Sequence, residues 1–151
     1  MTEKDNIQLA ERQIAALNAR DLDGYLSRID ENYVGHSEVA PGPIRGRDGA
    51  RQNMEGIFAG FPDLQIEIEE TIASGDMVVV RARAKGTHAG TFAGIPATGK
   101  SIVMELCNVL QIRDGKTVQG RVYADTLSML RQLGVISLPM AAVAGSPGAG
   151  R

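Results

Sequence analysis

The apolar positions of this chain recur every three or four residues as far as Gly60, and every second residue beyond it. From Asn6 to Arg20 the stripe is Ile7, Ala10, Ile14 and Leu17, which predicts a helix with one buried face. Asp21 then stands as N-cap to a second short helix carrying Leu22, Tyr25, Leu26 and Ile29. With almost no linker between them, the two are expected to form a helical hairpin. Asn32–Glu38 fits a short strand or a turn, and Val39–Gly46, with Pro41, Gly42 and Pro43, a loop. Asp48 is placed to cap a third helix with Ala50, Met54, Ile57 and Phe58 on one side, ended by Gly60-Phe61-Pro62.

Alternation then predicts strands. Leu64–Ile72 sets Leu64, Ile66 and Ile68 against Gln65, Glu67 and Glu69. After a turn at Ser74-Gly75-Asp76, Met77–Thr87 returns with Val78, Val80, Ala82 and Ala84 opposite Arg81, Arg83 and Lys85. Gly90–Gly99 reads as a loop pegged by Phe92 and Ile95. Ser101–Gly134 reads as a long strand, a tight turn at Asp114-Gly115, a returning strand and a short helix. Helices followed by a strand meander predict an α+β fold, one curved antiparallel sheet packed on N-terminal helices. The expected domain is 1–144, its apolar end Val135–Ala144 lying over the sheet or a partner subunit, with 145–151 a disordered tail.

The phase of the last hairpin decides which side chains meet. On the returning strand Val118, Gly120, Val122 and Ala124 share one face, and Gln119, Arg121, Tyr123 and Asp125 the other. On the outgoing strand Met104, Leu106, Leu110 and Ile112 match the apolar face, with Asn108 its one polar interruption. Asp125 precedes Thr126-Leu127-Ser128-Met129-Leu130, where it serves best as a helix N-cap. An acid/base role is the competing assignment.

Charge and cysteine content narrow the function classes. A net charge of −2 without a basic run is no footprint for nucleic acid. The lone Cys107 rules out an internal disulfide and has no triad partner in sight. No apolar run approaches the roughly 20 residues of a membrane span, and the polar start does not resemble a signal peptide, so a cytoplasmic protein without membrane contact is expected. Gly94–Ser101 fits the phosphate-loop pattern G-x-x-x-x-G-K-S letter for letter. That motif needs a helix after Lys-Ser, but Ile102–Ile112 alternates as a strand and Pro96 removes a backbone donor. Nucleotide binding is set aside. His36 and His88 have no third ligand at suitable spacing, so no metal site is expected.

Gly86-Thr87-His88, Gly90, Gly94-Ile95-Pro96, Thr98, Asp114-Gly115-Lys116 and Arg131-Gln132-Leu133-Gly134 carry a resemblance. Over roughly Asn6–Gly134 the chain resembles the SnoaL-like polyketide cyclases of the nuclear-transport-factor-like (NTF2-like) superfamily. The resemblance implies a cone-shaped α+β barrel, a homodimer, no cofactor, and intramolecular aldol closure of a polyketide methyl ester in a deep hydrophobic pocket. It also implies that the family's acid/base aspartate position falls on Val122, a partner histidine position on Gly120, and two helper positions on Leu106 and Asn108. Of these four, Asn108 alone can hydrogen-bond through its side chain.

Without a strand carboxylate, His36 is the best base on offer, because imidazole exchanges protons near neutral pH; the competing assignment is a partly exposed loop histidine. His88 sits in the Gly-Thr-His turn, where holding the loop competes with catalysis. The expected catalytic pair is therefore His36 and Asn108, with Tyr25, Tyr33, Asn53, Met54, Phe58, Leu106 and Val122 lining a hydrophobic substrate cavity. Arg81, Arg83 and Lys85 are expected on a solvated strand face or at a subunit contact. The expected function is a cofactor-free polyketide (ester) cyclase, with two alternatives: a cofactor-independent hydroxylase of the same superfamily, or a non-catalytic binder of a planar hydrophobic ligand.

Overall fold

The structure, a computed structural model, describes residues 2–137. The expected tail at 145–151 and most of the segment Val135–Ala144 lie outside the described residues. Helix α1 runs over Glu3–Asn18 and begins earlier than the apolar stripe suggests. The Thr2 hydroxyl accepts from the Asp5 backbone N–H (3.1 Å), and Asp5 Oδ2 accepts from the Thr2 N–H (2.9 Å). This reciprocal cap turns a polar start into a helix start. Helix α2 is Leu22–Leu26, capped by Asp21, which accepts from the Gly24 N–H at 2.9 Å. Ile29 is not part of it but opens strand β1, Ile29–His36.

The expected loop at Val39–Gly46 is shorter than its prolines imply. Ile44–Arg45 forms a two-residue strand β2, antiparallel to β1 through Val34 and Gly35. Gly46, at φ +67°, turns the chain straight into helix α3, Gly46–Gly60. The helix therefore starts at Gly46, and Asp48 falls inside its first turn instead of capping it; a carboxylate there still complements the helix dipole.

Strands β3 (Gln65–Ser74), β4 (Met77–Thr87), β5 (Ser101–Arg113) and β6 (Lys116–Ala124) form the meander, and helix α4 (Thr126–Gln132) is the last element among the described residues. The sheet order is β2-β1-β6-β5-β4-β3. It is mixed, not wholly antiparallel as expected, because β1 lies parallel to β6. No hairpin joins these two strands, so nothing forces the antiparallel arrangement. A bulge between Ile68 and Glu70 reverses the phase of β3, and Ile72, apolar by pattern, ends 53% exposed.

The helices cover the inner face of this sheet. Leu9 and Ala10 of α1 pack on Val78, Val80, Ala82, Leu110 and Ile112. Phe61 and Leu64, after α3, pack on Ala84, Ile102 and, from α4 and its C-cap, Met129 and Leu133. Leu26, Ile29, Tyr33 and Ala50 make a third cluster. Each fully buried Val or Leu contributes roughly 1.5–3 kcal/mol, an upper bound since unfolded chains already bury part of that surface. On the outer face, Arg81, Arg83 and Lys85 pair with Glu69, Glu70, Glu105 and Glu67 at 2.8–3.4 Å. These are exposed ion pairs of small individual worth.

Candidate functional site

Between helices and sheet lies a cavity of about 180 Å³. Its wall is the β5–β6 hairpin. Register pairs Leu106 with Ala124, Asn108 with Val122, and Leu110 with Gly120, so from Gly120 to Ala124 the phase inferred from alternation is the phase observed. Nearer the turn a register shift pairs Ile112 with Thr117, which is buried in the inward place expected of Val118. Leu106, Asn108 and Val122 all line the cavity. Helix α3 contributes Asn53 and Met54, α2 contributes Tyr25, and β1 contributes Tyr33.

His36, the last residue of β1, is half-buried on the rim beside Ser37, Glu38 and Val39. Its position is one step out of phase with Tyr33 and Gly35, which face inward. Phe58 is not among the lining residues. The Arg20 guanidinium sits 4.0 Å over its ring while donating to the Pro62 and Leu64 carbonyls at 2.6 and 2.8 Å. Phe58 thus packs toward Arg20, and Ile57, its neighbour on the helix, lines the cavity in its stead.

Asp125 is the cap of α4, accepting from the Ser128 N–H at 3.0 Å, and does not line the cavity. His88 is fully buried, stacked on Phe61 at 5.3 Å, and likewise outside the lining. The Thr98 backbone N–H donates to its Nδ1 at 3.2 Å, which places the ring proton on Nε2. Thr98 Oγ1 meets the same nitrogen at 3.0 Å, so the imidazole fastens the Gly90–Gly99 loop.

The lining polar groups fall into two sets. Some are satisfied within the protein: Thr117 donates to Gln13 at 3.0 Å, and Glu38 accepts from the Ala124 N–H at 3.1 Å and the Thr126 hydroxyl at 3.4 Å. Glu38 is a cavity carboxylate that sequence reasoning missed, because its partners stand 86 and 88 residues further along the chain. Others have no hydrogen-bond partner among the described residues. Asn108 Oδ1 is buried without a hydrogen bond. Burial raises the Tyr33 phenol from its ordinary value to about 12, and no hydrogen bond offsets it. Tyr25 is raised further, by burial and then by the nearby Tyr33. Both phenols are proton donors at any working pH. A buried amide left unpartnered costs roughly 1–3 kcal/mol, and such groups gather where a ligand completes them.

A deep cavity between a curved sheet and helices is the architecture of the NTF2-like proteins. A SnoaL-like polyketide cyclase candidate from Jannaschia superposes at a TM-score of 0.81 over 89% of this chain and 95% of its own, at 22% identity. The chain belongs to the SnoaL-like polyketide cyclase family, whose match spans residues 7–133. The aklanonic acid methyl ester cyclase DnrD of Streptomyces peucetius is 29% identical over 133 residues, 85% of this chain and 90% of that one. The crystal structure of AclR from Streptomyces galilaeus, described as a candidate hydroxylase, has a TM-score of 0.79 at 29% identity, covering 90% of this chain and 100% of that one.

Proposed function

We propose that this protein is a polyketide ester cyclase that closes a ring by intramolecular aldol chemistry. The observation that carries this reading is the wall itself, apolar except for Thr117, which is bonded to Gln13, and one unpartnered amide, Asn108, in a chain related to a methyl ester cyclase. His36 at the rim removes a proton from a carbon flanked by carbonyls, directly or through water. The Asn108 Nδ2 amide nitrogen donates to the enolate oxygen where charge develops, and its unpartnered Oδ1 accepts from a hydroxyl of the substrate. The apolar lining folds the substrate and excludes water, and orientation of this kind lowers the barrier by several kcal/mol.

A cavity of 180 Å³ is small beside the roughly 300–1,000 Å³ of drug-sized ligand sites, so it takes the reacting end of a planar substrate and leaves the rest at the rim. Aldol closure is an isomerisation, balanced without a redox partner or group carrier. A homodimer in the cytoplasm belongs to the same proposal.

Incubation with aklanonic acid methyl ester should yield the ring-closed isomer by chromatography, and His36→Ala should lower the rate ~10²–10⁴-fold. Unchanged turnover in His36→Ala removes it as base. The likeness to AclR favours a second reading, oxygenation of the substrate's own enolate. Oxygen consumption during turnover would mark it; ring closure under argon at full rate would reject it.

A further inference from the structure

Two glycines with ordinary backbone stand side by side beneath one phenol. Gly35 of β1 is the register partner of Gly120 on the parallel strand β6. Neither adopts a left-handed φ, so conformation does not call for glycine at either position. Space does. A methyl group at Gly35 would lie 2.5 Å from the Tyr33 hydroxyl oxygen, and one at Gly120 2.8 Å from it. Real Cβ contacts are longer, so the bare strip Gly35–Gly120 is the seat on which the Tyr33 ring lies. Tyr33, two residues before Gly35, shares its inward face, and the whole residue is only 9% exposed.

The hydroxyl so placed is near the one amide of the wall. Gly120 pairs with Leu110 and Val122 with Asn108, which sets Asn108 one diagonal step from Gly120, about 7 Å at the backbone. Leu106, Leu110 and Val122 around them are apolar. The Asn108 oxygen, buried without a partner, and the Tyr33 phenol, which has no hydrogen bond among the described residues, therefore both stand against this stretch of the hairpin wall.

Building on the ring-closure reading, we infer that Tyr33 is the proton donor of this site, its hydroxyl delivered to the wall by the Gly35–Gly120 platform. In the closure step the base takes the proton from the activated carbon. That carbon bonds to the ketone carbon, and the carbonyl π pair moves onto oxygen. This oxygen takes the Tyr33 proton. Water at the rim reprotonates the phenoxide as the base releases its own proton, so nothing is consumed. An alkoxide is a stronger base than a phenoxide, and the transfer runs downhill.

The test uses Tyr33→Phe, Gly120→Ala and the double variant, with two probes. Tyr33→Phe should lower kcat for aklanonic acid methyl ester ~10²–10⁴-fold while KM changes little. Independently of turnover, 1-hydroxyanthraquinone bound to the native protein should show its visible band displaced from that of the Tyr33→Phe complex, since a carbonyl that accepts a hydrogen bond absorbs differently. Gly120→Ala should lower the melting temperature less in the Tyr33→Phe background, where the hydroxyl it strikes is gone. Equal bands in the two proteins, or full kcat in Tyr33→Phe, overturns the donor role and leaves the cyclase reading standing. A shifted band without ring closure supports the donor and rejects the cyclase. If the native protein neither binds the quinone nor closes the ester, both fall.

Discussion

Asn108 stands in a row of aliphatic side chains, and a leucine there would satisfy every packing rule of the wall. Its buried amide oxygen costs the fold stability that no internal bond returns. Asn108→Leu should therefore raise stability by about 1–3 kcal/mol, seen as a higher urea midpoint with unchanged slope. A lower midpoint would mean the amide is structural. Tyr33 makes the complementary prediction at high pH. Its folded value of about 12 lies above the free phenol's 10, so its contribution is full below pH 10 and is lost as pH rises toward 12. Between pH 9 and pH 11.5 Tyr33→Phe should lose less stability than the native chain, by on the order of 2 kcal/mol, in urea titrations at the two pH values. Asn108 was legible because it breaks an alternation. Phe58 was misplaced because a helical stripe does not say which of its edges meets the cavity, and Arg20, from another element, decides that.

Among the elements, the β5–β6 hairpin could be read from Met104 to Leu110 and from Gly120 to Ala124, since strict alternation fixes which face is buried once one residue is known. Its turn end could not, because a register shift there puts Thr117 and not Val118 inward. The same logic failed on β3, where one extra residue at the bulge reversed the phase, and on α3, whose start follows from the left-handed Gly46 and not from Asp48. Asp125 shows how the hairpin's phase decides chemistry. Being out of phase with Val122 and bonded to the Ser128 N–H, it is committed to α4. Asp125→Ala should cost about 1 kcal/mol of stability and leave affinity for 1-hydroxyanthraquinone unchanged. A large loss of affinity at unchanged stability would place its carboxylate in the site after all. The Gln132 amide secures the same helix to β5, bonding both the N–H and the carbonyl of Val103 at 2.8 Å.

Over the whole molecule, the cavity exists because β1 returns beside β6 and brings the rim residues and Tyr33 against the hairpin wall. Parallel pairing across so much intervening chain leaves no local signature, which is why the Tyr33–Gly35–Gly120 stack and the Glu38 contacts were not legible, whereas the curved sheet and its helices were. The fold brings together an apolar wall, the buried unpartnered oxygen of Asn108 and two phenols, and the proposed ring closure is the chemistry that would use them. The rate of ring closure of aklanonic acid methyl ester by the native protein and by Asn108→Leu, compared at saturating substrate, tests this most directly. A fall of ~10²–10³-fold in a fully folded variant is predicted; equal rates, or a native protein that closes no ring, would contradict it.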